Sequence, residues 1–399
     1  MKDRSASLLA LVAVVFVGMT GFGVFLPIFP FLALELNATP TTATLAMGAY
    51  SLGQVITSPL WGRLSDRIGR KPVLVLGLVG SVASYLWIAH ASSVLELGAA
   101  RLFGGLMAGN VGAAFAAAAD LADGKTRARN MGLLGAAVGL GFIAGPALGG
   151  FLVGGEPDRA GFALACYVSA AMTCLAALAA WLLFRESLRI GDRAVRTVRA
   201  SRWALLLERP TLARFAAIML LAVGAQALME TTFGLWADAR LAWGPREVAW
   251  TLAFMGAGAV LLQGGGAGAA ARIWGERLTL LIGLALFAAG FCGLAVAREP
   301  LMLAIALAVL VCGIGLATPA LNSLIAAQSD ERDHGAVMGV SQSAAALGRV
   351  VGPLGAGALF DGFGPDAPFV VAALMIVAAL FVALGEPLKD RAGAQLDSR

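Results

Sequence analysis

The chain has 399 residues, 59% hydrophobic and 13% charged, with a mean hydropathy of +0.84 and a formal net charge of +5. A soluble protein of that length would hold two or three domains and about 25% charged residues, so the composition excludes a soluble fold and indicates a polytopic membrane protein. The positive balance is not a nucleic-acid signal, because the basic residues sort to one side of the membrane. The four cysteines (Cys166, Cys174, Cys292 and Cys312) fall inside apolar stretches without metal or disulfide spacing and read as small packing residues. His90 and His334 lie far apart near span ends, so neither a metal site nor a cofactor is expected.

Apolar spans of about 20 residues or more can be set at 8–35, 43–61, 73–92, 96–120, 131–153 and 161–184, then at 212–236, 247–267, 278–297, 301–328, 335–359 and 367–386. The first runs on as a full crossing from about Leu8, so no cleavable leader is expected. The expected architecture is all-α: twelve transmembrane helices in two pseudo-symmetric six-helix bundles, residues 1–184 and 212–388, with a cytoplasmic linker at 185–211 and a cytoplasmic tail at 389–399. Within the linker, Ser201–Leu207 suits a short amphipathic helix at the inner interface. The expected outer loops hold only Arg159, Arg240, Arg246 and Arg298, and Arg101 and Arg349 lie inside spans. The remaining Lys and Arg fall on the other side, which places both termini in the cytoplasm.

Between the second and third spans stands Gly62-Arg63-Leu64-Ser65-Asp66-Arg67-Ile68-Gly69-Arg70-Lys71-Pro72, with four positive charges in eleven residues. A segment this short between two spans must reverse the chain at the membrane surface, with glycines for tight geometry and Pro72 in the first turn of the next helix. A purely topogenic loop is the plain reading. The residues also fill every specified position of G-x-L-[ST]-D-[RK]-x-G-R-[RK]-P, and the segment resembles the signature loop of the major facilitator superfamily. The resemblance implies a cytoplasmic latch of Gly62, Asp66, Arg67, Gly69 and Arg70. In it Asp66 pairs with the cytoplasmic start of span 11, and Arg70 reaches an acid at the inner end of span 4, with Asp120 as the candidate.

Span 4 carries Arg101, four residues before Gly105, and then Asn110. A charge at that depth is costly and faces a cavity or a partner, unless it snorkels to the outer headgroups. Arg-x-x-x-Gly looks like the superfamily's span-4 motif, which implies a part in proton transfer. Span 5 carries Gly141, Gly145, Pro146, Gly149 and Gly150 in a G-x-x-x-G-P-x-x-G-G string. Glycines four apart give a smooth packing face and Pro146 removes a backbone hydrogen bond. The string resembles that of the exporter branch, which implies a hinge face for alternating access. An internal repeat supports the halving of the chain: Met131-Gly132, Gly141, Gly145-Pro146 and Gly150 recur 207 positions on as Met338-Gly339, Gly348, Gly352-Pro353 and Gly357. The signature segment echoes more faintly at Gly268, Gly275, Glu276 and Arg277, offset by 206.

Glu230 is the one carboxylate set well inside a span, in Gln226-Ala-Leu-Met229-Glu230-Thr-Thr-Phe233-Gly-Leu-Trp236. Desolvation favours the neutral form of a buried acid, so this residue can take up and release a proton, with Arg101 as a tuning charge. A permanent ion pair with Arg101 or Arg349 is the alternative. Polar groups at Asn110, Gln226, Asn322, Gln342 and Arg349, with Phe142, Met229, Phe233 and Trp236, would give a mostly apolar pocket with a few polar anchors, suited to amphipathic molecules. The superfamily's tetracycline exporters carry acids in spans 1, 3 and 9 where this chain has Gly18, Ser84 and Phe287. The resemblance therefore implies a bacterial inner-membrane drug:proton antiporter with a reduced acidic set, monomeric, driven by the proton gradient. The alternatives are a uniporter or proton symporter for a metabolite such as a sugar or amino acid, and more remotely a membrane enzyme or receptor.

Overall fold

The computed structural model describes residues 2–122, 126–154, 158–187, 208–329 and 334–385. The expected interfacial helix at Ser201–Leu207 and the tail at 389–399 lie outside the described residues, as does most of the linker. The described chain is helical: α1 (Lys2–Phe25), α2 (Phe29–Glu35), α3 (Pro40–Ile68), α4 (Arg70–His90), α5 (Val94–Leu106), α6 (Asn110–Asp120), α7 (Arg127–Val153) and α8 (Arg159–Leu183). There follow α9 (Pro210–Leu241), α10 (Pro245–Leu261), a π-helical turn (Leu262–Gly266), α11 (Ala267–Val296), α12 (Pro300–Ala326), α13 (His334–Phe363) and α14 (Ala367–Leu384). Among the described residues, ten stretches are long and apolar enough to cross a membrane. One of them, Pro245–Val296, is two helices that meet at Gly275. With the more polar α3, that gives room for twelve crossings.

The helix starts are those the side chains dictate. Thr39 Oγ1 accepts from Thr42 N (3.2 Å) ahead of Pro40 at α3, and Ser93 Oγ accepts from Glu96 N (3.2 Å) at α5. Glu96 returns the bond by accepting from Ser92 N at 2.7 Å, and Asp158 caps α8 through Gly161 N at 2.7 Å.

Three boundaries differ from the sequence expectation. The span at 8–35 breaks at Leu26–Ile28, where Pro27 has no N–H to continue the ladder and Leu26 N tightens onto Gly23 O at 3.3 Å. The span at 96–120 breaks at Met107–Gly109; Trp61 Nε1 donates to the Leu106 carbonyl at 2.7 Å, and its ring lies where a Cβ on Gly109 would fall. The largest correction concerns the signature segment. Gly62–Ile68 is not a turn but the last turns of α3, and the reversal is confined to Gly69, with φ 113° and ψ 165°. Only glycine holds that region without strain. Gly275, 206 positions on, repeats it with φ 81° and ψ 157° between the two halves of α11.

By packing, the described residues fall into two compact units, one from 1–196 with 233–256 and the other from 197–232 with 257–399. In the first, α1 packs on α7 and α8, α3 on α5, and α4 on α8. Leu11, Val14, Leu74, Leu78, Ala114 and Ala117 form part of its core. In the second, α11 packs on α12 and α14. The repeat extends to the helix ends opposite Gly69 and Gly275. Arg159 Nη2 donates to Ala91 O at 2.8 Å, and Arg298 Nη2 to Asp366 Oδ2 at 2.8 Å. Ala91 and Arg298, like Arg159 and Asp366, are 207 positions apart. The same two helix ends are tied in both halves, with the arginine on opposite members of the pair.

Gly69→Ala should cost about 1–3 kcal/mol, because it forces a side chain into a glycine-only region where a Cβ would also strike the Glu186 carboxylate. Gly62→Ala, with open space around it, should leave stability unchanged or raise it. Thermal unfolding of the purified variants measures both.

Candidate functional site

Arg70 is the first residue of α4 and only 5% exposed. A guanidinium this deep must have acceptors, and it has three: Asp66 Oδ1 (2.6 Å) and Ser65 Oγ (3.1 Å) from Nη1, and Asp120 Oδ2 (2.9 Å) from Nε. The N-terminus of α4 is closed from a distance. Glu186 Oε1 accepts from Arg70 N at 2.9 Å and Oε2 from Lys71 N at 3.1 Å, covering two of the helix's orphan donors. Arg67 in the last turn of α3 is exposed, as is Gly62. Glu186 and Ser65 were not among the expected latch residues. Glu186 stands at the edge of the arginine-rich linker, 116 residues from its partner, and no local pattern marks it.

Arg101 is 4% exposed, which rules out the snorkelling alternative. Its guanidinium carbon lies over four aromatic rings: Tyr50 at 4.7 Å, Phe25 at 5.3 Å, Phe29 at 5.5 Å and Phe22 at 5.8 Å. All are within cation–π range. Nε has no hydrogen-bond acceptor among the described residues. The four-residue step to Gly105 has a physical cause. A Cβ there would meet the Tyr50 carbonyl, so glycine lets α3 close on α5 and set the Tyr50 ring over Arg101. The stripe Phe22, Phe25 and Phe29 follows i, i+3, i+7 spacing, a helical-face signal present in the sequence and unused in its reading.

In the second unit, Glu230 is half-buried in the interior of α9. Gln226 Nε2, one turn earlier, donates to its Oε1 at 2.8 Å, and the Arg349 charge on α13 acts on it through space. Gln226, Asn322 and Asn110 are half-buried, while Phe142, Gln342 and Arg349 are exposed. Asn110 borders a small cavity with Val14, Gly18, Leu74 and Leu78.

Three of the expected pocket residues are fully buried. Met229 (2% exposed), Phe233 (1%) and Trp236 (0%) are packed into protein, with the Phe233 and Trp236 rings stacked at 6.0 Å. They occupy the i, i+4, i+7 face of α9 adjacent to the one carrying Gln226 and Glu230, and that face is core. The span-5 glycines take the packing reading within the first unit. A Cβ on Gly141 would press on Met19 and Thr20, on Gly145 against Gly23, and on Gly149 against the Val24 carbonyl, all on α1; Gly150 meets Ala249. Pro146 sits inside α7 without ending it.

Residues 11–240 and 212–396 both match the family model described as Major Facilitator Superfamily. The chain belongs to this superfamily. It is 30% identical over 357 residues to "Tetracycline resistance protein, class B" of Escherichia coli, covering 88% of this chain and 87% of that protein. To "Multidrug resistance protein 2" of Bacillus subtilis (strain 168) it is 27% identical over 389 residues, covering 95% and 94%. Among solved structures, that of a mutant of the nucleoside transporter NupG superposes with a TM-score of 0.79 at 12% identity, over 95% of this chain and 99% of that one. This last likeness carries the superfamily fold alone.

Glu186→Ala should lower the unfolding temperature by removing both acceptors at the start of α4, whereas Glu186→Gln, which keeps one acceptor oxygen, should lose roughly half as much. Asp120→Asn should act in the same direction by leaving Arg70 Nε a neutral acceptor in place of a charged one. Thermal unfolding of the purified variants orders the three.

Proposed function

We propose that this protein is a bacterial inner-membrane exporter that moves amphipathic drug-like molecules outward in exchange for protons, by alternating access between the halves 1–184 and 212–388. The observation that carries the reading is Glu230, an acid in the middle of an apolar span, hydrogen-bonded by Gln226 and under the charge of Arg349. The relatives support export over metabolite uptake: they are named as tetracycline and multidrug resistance proteins. Both termini face the cytoplasm on the distribution of Lys and Arg, and the working unit is a monomer that needs no cofactor beyond the proton gradient.

In this reading the ionised Glu230 accepts from Gln226 and is stabilised by Arg349. Protonation cancels the carboxylate charge and releases Arg349 from it, which changes the electrostatic cost of each arrangement of the two halves. A proton and a substrate can then drive opposite transitions, because each favours a different one. The Arg70–Asp66–Asp120 cluster is the latch at the inner ends of α3, α4 and α6.

The test uses purified protein in proteoliposomes with a pH-sensitive dye inside, an imposed proton gradient and a panel of amphipathic drugs and metabolites. Wild type should show substrate-dependent proton movement. Glu230→Gln should still exchange substrate down its gradient but lose uphill transport and proton movement together. Full uphill efflux by Glu230→Gln would overturn the assignment.

A further inference from the structure

Among the described residues, the guanidinium of Arg101 has aromatic neighbours and no anion. Its contacts are the four rings of Phe22, Phe25, Phe29 and Tyr50, and its Nε is buried without an acceptor. Among the described carboxylates of the same unit, Asp66 and Asp120 engage Arg70, Glu186 the start of α4, Glu96 Ser92, Asp158 Gly161 and Glu247 Gly244, and neither Glu35, the last residue of α2, nor Asp238, in the last turn of α9, pairs with Arg101. Cation–π contacts hold the charge but do not occupy N–H donors, and a guanidinium carries five. A buried cation without an anion is among the costliest arrangements a protein keeps, and here the fold supports it, since Gly105 lets α3 approach closely enough to place Tyr50 over it.

The shape of the site says what would complete it. A planar fork of donors matches a carboxylate, which takes two parallel N–H bonds. Aromatic walls match a flat apolar body behind that carboxylate. Two of the rings, Phe22 and Tyr50, are half-exposed and lie 5.4 Å apart, and Phe22 meets the exposed Phe142 edge-on at 6.1 Å. Phe25 and Phe29 behind them are fully buried. The approach is therefore from the Phe22–Tyr50 side, by rotation of those two rings.

We infer that Arg101 and its aromatic surround are the anchoring site for the anionic group of a planar aromatic carboxylic acid, which defines one substrate class of the exporter proposed above and rests on that reading. Arg101 is then a specificity determinant: a fixed cation favours anionic and neutral aromatic substrates and disfavours cationic ones.

The experiment measures equilibrium binding of radiolabelled 2-naphthoate, and of the isosteric neutral 2-naphthamide, to the purified full-length protein in lipid nanodiscs. Wild type should bind the acid about tenfold or more tightly than the amide, as a charge-assisted bidentate pair requires. Arg101→Gln should lose that preference and keep its affinity for the amide, which also reports that the variant is folded. Arg101→Lys should keep the preference for the acid with affinity about three- to tenfold weaker, because the charge remains and the fork is lost. Equal affinity of wild type for acid and amide, or an unchanged preference in Arg101→Gln, overturns the site. If Arg101→Gln does not fold, the wild-type comparison and Arg101→Lys decide, and an Arg101→Lys protein with undiminished affinity for the acid overturns it. The two readings separate cleanly. Binding of 2-naphthoate through Arg101 without substrate-linked proton movement removes the antiport mechanism and leaves this site. Proton-coupled efflux of other compounds by a protein indifferent to 2-naphthoate removes this site and leaves the exporter.

Discussion

Lipid offers helices no hydrophobic reason to pack against one another, so a bundle of this kind depends on close backbone approach through residues without side chains. The structure is built on such contacts. Gly145 of α7 lies where only Gly23 of α1 can face it; Gly53 of α3 meets the backbone of Leu102 and Leu106; Gly283, Gly290 and Gly313 let α11 and α12 close on each other at Ala317, Leu310 and Phe287. These approaches fix more than the helix axes. The α3–α5 contact through Gly53 and Gly105 is what sets Tyr50 over Arg101. The environment of the deepest cation in the first unit is therefore a consequence of glycine placement two helices wide.

Charge is handled in two contrasting ways within one unit. Arg70, at a helix start, is matched by Asp66, Asp120 and Ser65, and the backbone donors beside it are matched by Glu186. Strong donors there meet acceptors, which is what a structural clasp needs. Arg101 is as well buried and has faces of aromatic rings in place of oxygens. A satisfied charge holds structure, and one met only by ring faces keeps donors for another anion. The partners differ in kind, although both are arginines of similar exposure, one at a helix start and one in a helix interior.

Much of the architecture was legible because hydropathy is a local signal and membrane crossing has a fixed length. The spans and the 207-residue echo could be read from the apolar stretches and the glycine strings, and the superfamily from the resemblance of the signature segment. Helix breaks were not legible, since Leu26–Ile28 and Met107–Gly109 remain apolar while changing backbone geometry. The signature segment was misjudged because its charges suggested a loop, whereas Leu64, Arg67 and the Asp66–Arg70 pair are compatible with a helix that runs on to a single glycine-only residue. Glu186 depended on a contact across more than a hundred residues. On α9 the acid was visible and the burial of its neighbours was not: Met229, Phe233 and Trp236 are apolar either way, and only packing decides which face of the helix is buried.

The two halves are most informative where their repeat is broken. The glycine contacts align α1 with α9 at an offset of 204, for Gly141 rests on Thr20 N as Gly348 rests on Gly224 N, and Gly145 on Thr20 O as Gly352 on Gly224 O. On that alignment Gln226 corresponds to Phe22 and Glu230 to Leu26, while on α13 Arg349 corresponds to Phe142. In the first unit this corner is an aromatic contact, Phe22 edge-on to Phe142. In the second, the same corner holds an amide bonded to a carboxylate, and a guanidinium whose charge reaches that carboxylate. Duplication supplied one geometry twice, and substitution made one copy apolar and the other ionisable. A corner that can gain and lose charge suits a proton. An aromatic corner beside an unmatched cation suits a flat anion, and neither copy could do both without placing an acid next to Arg101 and engaging its donors permanently.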